Sequence, residues 1–228
     1  MQHLLLATSR PTSRAHPRMA SSSETAIFGM GCFWAPQEAF QDMPGVESVL
    51  TGYASVEPRL NLEPPSYFSV CSGDGYTEAV RVTYDPSEVS YEALLRVFWA
   101  NHDASLTTPG KEDQYRSALW PTDEAQRLLA AADVERAAAA YVAAGKDPPC
   151  TVVAQAPPAF TPAEPYHQHF WAKGRLKLGL LVALLLLRGA GSSQLSLAAD
   201  VGTQLVLLWW FVECFGLLAA ASPFAELF

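Results

Sequence analysis

The 228-residue chain is half hydrophobic and carries a formal net charge of −8. That length and apolar content suit one cored domain with appendages, and the acidic balance argues against a phosphate-backbone ligand. Four cysteines with no C-x-x-C pair and no zinc-type spacing exclude a disulfide scaffold and a zinc module, which leaves a reducing compartment with one or two reactive thiols.

Residues 1–23 form a block of their own. Arg10, Arg14 and Arg18 lie among many Ser and Thr residues, and no acid precedes Glu24. This composition predicts a disordered organellar transit peptide, leaning to the chloroplast, with mitochondrion or cytoplasm as alternatives. A tail with no address is the plainer reading.

Thr25 to Met30 reads as a short strand and Cys32 to Gln41 as a helix, with Pro36 tolerated near its first turn. Cys32 therefore falls at a helix N-terminus, where unpaired N–H groups favour a thiolate. Phe33 and Trp34 follow at once and give the sulfur an apolar wall. A buried structural cysteine is the competing reading. Pro44-Gly45 marks a turn, Val46 to Tyr53 a second strand, and residues 54–66 a Pro- and Glu-rich loop.

Thr77 to Tyr84 is the clearest strand. Glu78 shares a face with Val80 and Val82, so it is either an exposed strand-end acid or a carboxyl that desolvation holds protonated, able to donate a proton to an oxygen. Ser90 caps the next helix, with Leu94, Leu95, Phe98 and Trp99 as its apolar stripe. Tyr115 to Trp120 gives a fourth strand. Thr122 caps a long Ala-rich helix ending at Gly145, and Thr151 to Ala154 adds an edge strand. The order strand-helix-strand-strand-helix-strand is the split βαβ of a ferredoxin-like α+β sandwich.

Tyr67 and Tyr115 lie in polar settings where a phenol can donate to a substrate oxygen, or simply pack. His102-Asp103 reads as a helix-end cap. Tyr166-His167-Gln168-His169 has no third ligand at metal spacing and reads as structural. The end of the chain is an irregular, apolar extension. Leu178 to Leu187 is too short to span a bilayer, and Leu205 to Ala221 reaches the lower limit with Glu213 at its centre, at a cost of about 2.5–3.5 kcal/mol. A tail anchor, a buried helix and an aberrant terminus without a selected fold all fit, so membrane contact is open.

Gly31-Cys32-Phe33-Trp34 with Glu38, the run from Tyr67 to Asp74, Thr77-Glu78-Ala79-Val80, Tyr84-Asp85-Pro86, Phe98-Trp99-Ala100-Asn101-His102-Asp103, Gln114-Tyr115-Arg116-Ser117 and Tyr166-His167-Gln168 together resemble the A-type peptide-methionine sulfoxide reductases, in order and from about Thr25 to Gly174. The resemblance implies three parts: the leader 1–23, a reductase domain over 24–174, and the extension 175–228. It also implies that Cys32 attacks the sulfoxide sulfur and Phe33 and Trp34 hold the methyl group. Glu78 would then protonate the oxygen, with Tyr67 and Tyr115 binding it. From the S-epimer of the sulfoxide the products are methionine and a sulfenic acid on Cys32 that a thiol, thioredoxin foremost, returns to the reduced state. No metal or organic cofactor is implied, and a monomer is expected.

The chain departs from the family pattern in three places. The loop before Tyr67 is long. Lys111-Glu112-Asp113 replaces a Gly-Asn-Asp stretch and leaves Asp113 in a substrate-binding place. The C-terminal Gly-Tyr-Cys resolving region is missing, so Cys214 is not a convincing resolving cysteine and Cys71 and Cys150 have no role. One-cysteine chemistry with direct reduction by an external thiol is the expectation. Its rivals are a non-catalytic or membrane-tethered homologue and a single-cysteine redox sensor, which needs no acid such as Glu78.

Overall fold

A computed structural model describes residues 22–56, 64–106, 108–154, 159–190 and 193–215, without the side chains of 189–190, 193–197 and 210–215. The leader, as far as residue 21, and the end of the chain beyond 215 lie outside the described residues.

Strand β1 (Glu24–Met30) leads through Gly31 to α1 (Trp34–Gln41), then β2 (Val46–Ala54), α2 (Tyr67–Cys71), β3 (Thr77–Tyr84), α3 (Tyr91–Ala100), β4 (Ser117–Trp120) and α4 (Glu124–Ala143). Two-residue edge strands follow, β5 (Val152–Val153) and β6 (Thr161–Pro162), then a 3₁₀ turn at Pro165–His167 and two long helices, α5 (Phe170–Ala190) and α6 (Ser193–Phe215). The sheet order is β5-β4-β1-β3-β2-β6. Strand β3 lies antiparallel between β1 and β2, and β4 is antiparallel to β1. That is the expected split βαβ, extended by β5, parallel to β4, and by β6.

Alternation along the strands sorts the side chains into two sets. Ala26, Phe28, Met30, Val80, Val82 and Tyr84 join Phe40 of α1 and Tyr91, Leu94, Leu95 and Phe98 of α3 in the main core. Phe28 stacks on Phe40 at 4.9 Å and meets Phe98 at 5.9 Å, so α1 and α3 cover the same face of β1. Ile27, Ala54, Ala79, Ala118, Trp120 and Ala154 form the smaller second cluster, with Phe160 packed against it.

Ser90 caps α3 as expected, accepting from the Ala93 N–H. The cap of α4 is Asp123 and not Thr122: the Asp123 carboxylate accepts from the Gln126 N–H at 2.8 Å. A carboxylate at that place also meets the helix dipole, whereas the Thr122 hydroxyl is drawn to the Thr25 carbonyl. The segment before β3 is not loop throughout. Ser66 and Ser69 exchange hydrogen bonds as a capping box and start α2, the helix that carries Tyr67 at its first position and Cys71 at its last.

Helices α5 and α6 pack on each other, joined by an Arg188–Asp200 ion pair at 3.2 Å and by Lys177 over the Trp209 ring at 4.5 Å. Arg175 of α5 grips Glu38 of α1 with two 2.7 Å bonds, which fastens the start of this hairpin to the sandwich. Among the described residues no helix is long and apolar enough to cross a membrane.

Strand β6 is held close. A methyl group on Gly52 would stand 2.4 Å from the Thr161 carbonyl and 2.3 Å from the Phe160 ring. We therefore expect Gly52→Ala to push β6 off β2 and to lower the unfolding free energy by about 1–3 kcal/mol, the usual cost of overpacking. Urea denaturation of the full chain measures it, and an unchanged midpoint contradicts the tight approach.

Candidate active site

Gly31, at φ +78°, turns the chain out of β1. Cys32 then precedes α1, and Phe33 is the capping residue. The thiol is in contact with solvent, yet its packed surroundings push its pKa up to about 11. Desolvation is the main cause, the Trp34 backbone N–H opposes it, and the charge of Glu78 adds to it. The expected helix-end activation is present as that single N–H contact and is outweighed. At neutral pH the resting Cys32 is a thiol.

Glu78 is 1% exposed, so the strand-end reading of an exposed acid is replaced by a buried one. Its Oε2 accepts from the Phe33 N–H at 3.1 Å and its Oε1 from Gln114 Nε2 at 2.8 Å. Burial raises its pKa, while the two donors and the Lys111 charge pull the other way without cancelling it. A carboxyl inclined to hold its proton is thus tied to the residue next to Cys32.

The two tyrosines converge on the same place from α2 and from the approach to β4. Burial raises both pKa values, and Tyr115 reaches about 12. Tyr115 feels the charges of Glu78, Cys32 and Cys71, and Tyr67 those of Cys71, Glu78 and Tyr115. Both phenols keep their protons and can donate to an oxygen held between them.

The apolar wall is more extensive than Phe33 and Trp34 alone. Phe33 is buried against Tyr53, Trp34 and His167, and Trp34 stacks flat on Phe170 at 3.7 Å. His167 meets Trp34, Tyr67 and Tyr166 as well. Burial holds its pKa down near 4, so it is a neutral ring at physiological pH. Both its ring nitrogens and the Trp34 indole N–H are buried without hydrogen-bond partners among the described residues.

Asp113 stands apart from this group. Its carboxylate pairs with Arg116, and its carbonyl accepts from the Thr77 hydroxyl at 2.7 Å. With the Gln114 carbonyl, which accepts from the Glu78 N–H at 2.8 Å, it pins the loop to the head of β3.

Sequence reasoning missed Gln114, Glu164 and the packing role of His167. Glu164 accepts from the Tyr53 hydroxyl at 2.7 Å and from the Tyr67 N–H at 2.9 Å, joining the aromatic wall to α2. No local pattern announces such bonds; the one usable signal was that Gln114 and His167 belong to motifs already singled out. His102 does act at a helix end, bonding the Phe98 carbonyl at 2.7 Å. Among the described residues no group of three or more His, Cys, Asp or Glu side chains is placed to hold a metal.

The site thus joins a solvent-reachable sulfur, a buried acid, two phenol donors and an apolar clasp. That set suits transfer of an oxygen from a soft, methyl-bearing centre to sulfur.

The family model of peptide methionine sulfoxide reductase matches residues 24–180. Over 156 residues the chain is 46% identical to a peptide methionine sulfoxide reductase MsrA of Escherichia fergusonii, a match that covers 66% of this chain and 71% of that one. It is 43% identical over 162 residues to the Azotobacter vinelandii MsrA, covering 69% and 72%. A solved structure of methionine sulfoxide reductase A of Corynebacterium diphtheriae superposes with a TM-score of 0.59 at 31% identity, over 72% of this chain and 79% of that one. The reduced form of Mxr1 from Saccharomyces cerevisiae has the same fold, with a TM-score of 0.57 at 24% identity, over 67% and 86%.

The electrostatics give a direct test on the free protein. Iodoacetamide alkylation of Cys32, followed on its own peptide by mass spectrometry, is expected to accelerate roughly tenfold per pH unit up to a plateau near pH 11, because only the thiolate reacts. Since the Glu78 charge raises the Cys32 pKa, Glu78→Gln must move the curve to lower pH. A plateau below pH 8.5, or a shift to higher pH in the variant, contradicts the assignment.

Proposed function

This chain belongs to the A-type peptide methionine sulfoxide reductases, which reduce methionine sulfoxide to methionine, and from that premise we propose the roles of its residues. Cys32 is the nucleophile. Its sulfur attacks the sulfoxide sulfur and takes over the oxygen, so that a thiol and a sulfoxide become a sulfenic acid and a thioether. Two electrons leave the Cys32 sulfur, and no other reductant enters this step. Glu78 supplies the proton to the oxygen as the S=O bond breaks. Tyr67 and Tyr115 hold that oxygen by donating to it, and Asp113 supports this arrangement by fixing the loop that carries Tyr115.

Phe33 and Trp34, backed by Phe170 and His167, hold the methyl group. With oxygen and methyl in fixed places, the rest of the methionine must leave through the solvent side. Only one hand of a stereogenic sulfur satisfies all three directions, the S-epimer in this family. A neutral His167 suits a weakly polar substrate and puts no competing charge beside the sulfur.

The observation that carries these assignments is the buried Glu78, bonded to the Phe33 N–H beside the thiol. It also disfavours a cysteine sensor, which has no use for a proton donor. A thiol then returns Cys32 to its starting state, with thioredoxin as the physiological reductant and protein repair under oxidative stress as the setting. The reductase unit spans 24–174, and all groups named lie on one chain, so a monomer suffices. The Arg-, Ser- and Thr-rich leader supports delivery to an organelle, with the chloroplast as its address.

The expected outcome is reduction of a methionine-sulfoxide peptide with dithiothreitol, abolished in Cys32→Ser. Glu78→Gln should lose about 10²–10⁴-fold, the usual worth of a positioned acid. Its pH dependence follows in sign: the reactive form, a thiolate beside a protonated Glu78, holds one proton, so the wild-type rate falls only as the pair loses that last proton, with Cys32 titrating near 11, whereas Glu78→Gln shows no such fall and its residual rate rises with the thiolate fraction. Turnover by Cys32→Ser would refute the mechanism.

A further inference from the structure

Resting on the oxygen-transfer reading above, we propose that Cys71 is the resolving thiol, attacking the Cys32 sulfenic acid to form a Cys32–Cys71 disulfide. The sequence alone gave Cys71 no role and left recycling to an external thiol acting directly on Cys32.

Cys71 ends α2, the helix that begins with Tyr67, so one short element brings a substrate-binding phenol and a thiol into the site together. The Cys71 thiol neighbours the Tyr67 hydroxyl, and Tyr115 feels the charges of both Cys71 and Cys32. Gln114 Nε2 lies 3.4 Å from Cys71 Sγ and 2.8 Å from Glu78 Oε1. One amide, 2% exposed, thus bridges the incoming sulfur and the acid. Its Oε1 is buried and has no partner among the described residues, which leaves an acceptor for the O–H of the sulfenic acid or of departing water. Lys111 Nζ donates to the Cys71 carbonyl at 2.7 Å and fixes the end of the helix to the same loop.

The step balances. The Cys71 sulfur forms the S–S bond as the S–O bond of the sulfenic acid breaks. The hydroxyl leaves as water after taking one proton, which Glu78 is placed to deliver, and the Cys71 thiol proton restores that acid. Both sulfurs end in the disulfide, which a dithiol reductant opens by exchange. Disulfide closure requires the two Cα atoms to come within about 7 Å. Cys71 belongs to a five-residue helix followed by turns at Gly73 and Gly75, both at φ +83°, and not to the sheet. Cys150 is exposed and its thiol donates to the Ala104 carbonyl at 2.9 Å, with no described contact to the site.

The test uses the full, reduced chain and one equivalent of methionine-sulfoxide peptide without added thiol. Methionine formed, free thiols lost and the linkage in a non-reduced digest are measured together. Loss of two thiols per methionine with Cys32 joined to Cys71 is expected, and the linkage should persist in Cys150→Ser. In Cys71→Ser, the Cys32 sulfenic acid should accumulate and be trapped by dimedone. Methionine formed while Cys71 stays a free thiol, or Cys32 joined to Cys150 or Cys214, overturns the inference and spares the oxygen-transfer reading. Absence of methionine in the wild type overturns that reading itself. If Cys71→Ser does not fold, the wild-type digest still decides.

Discussion

The carboxyl group of Glu78 is the constraint around which this site is built. A buried carboxyl without partners costs several kcal/mol, so it persists only where donors reach it. Here they come from segments 45 and 36 residues away in sequence, the Phe33 N–H and the Gln114 amide. Each satisfies one oxygen and brings a different part of the machinery with it: Phe33 the nucleophile and half of the clasp, Gln114 the loop that carries Tyr115. Strand β3 is one of the two central strands of the split βαβ, and its head meets both the residues after β1 and the approach to β4. The head of β3 is thus a place where an acid is buried and still bonded, beside the thiol.

The aromatic clasp depends on a second set of bonds, made by the segment after β6. Gln168 donates from its Nε2 to the Thr51 and Ala163 carbonyls and accepts from the Thr51 N–H at its Oε1. The Gln37 Oε1 accepts from the His169 N–H at 2.6 Å, and His169 adopts φ 53° there, a left-handed backbone that only tight anchoring holds in a non-glycine residue. These bonds carry His167 and Phe170 against Phe33 and Trp34. The tight approach of β6 at Gly52 thus bears on the site, since the aromatic wall proposed to receive the methyl group is attached to it.

What the sequence made legible follows from range. The alternation in Thr77 to Tyr84 put Glu78 on one face with Val80 and Val82 without deciding between an exposed strand-end acid and a buried one, and the order of elements predicted the split βαβ, because both depend on neighbours within a few residues. Helix α2 escaped because its capping box uses Ser69 where a Glu or Gln is the usual signature. The roles of Gln114, Glu164 and His167 rest on partners 36 to over 100 residues away, and no periodicity encodes those. The thiol shows the limit most clearly. A helix start can be read from the chain and argues for a thiolate, but the packing that opposes it, and the Glu78 charge that adds to it, belong to the folded chain. Desolvation of the thiol arises only in the fold, and it wins.

That outcome changes how the site controls its own reactivity. Burial holds the proton of Glu78, and burial together with the Glu78 charge holds that of Cys32, so the pair resists losing both. With one proton between them, two arrangements compete: thiol with carboxylate, or thiolate with carboxylic acid. The first is unreactive toward a sulfoxide, since it has neither a strong nucleophile nor an acid. The second has both at once. In the proposed mechanism a sulfoxide shifts the balance to the second, because its electron-poor sulfur attracts the thiolate while its oxygen, facing the two phenols, attracts the proton of the acid. A solvent-exposed cysteine with a low pKa would be open to any oxidant. Here the thiolate gains its advantage from a substrate that fills the oxygen and methyl places together, so the burial that raises the Cys32 pKa also makes its reactivity selective.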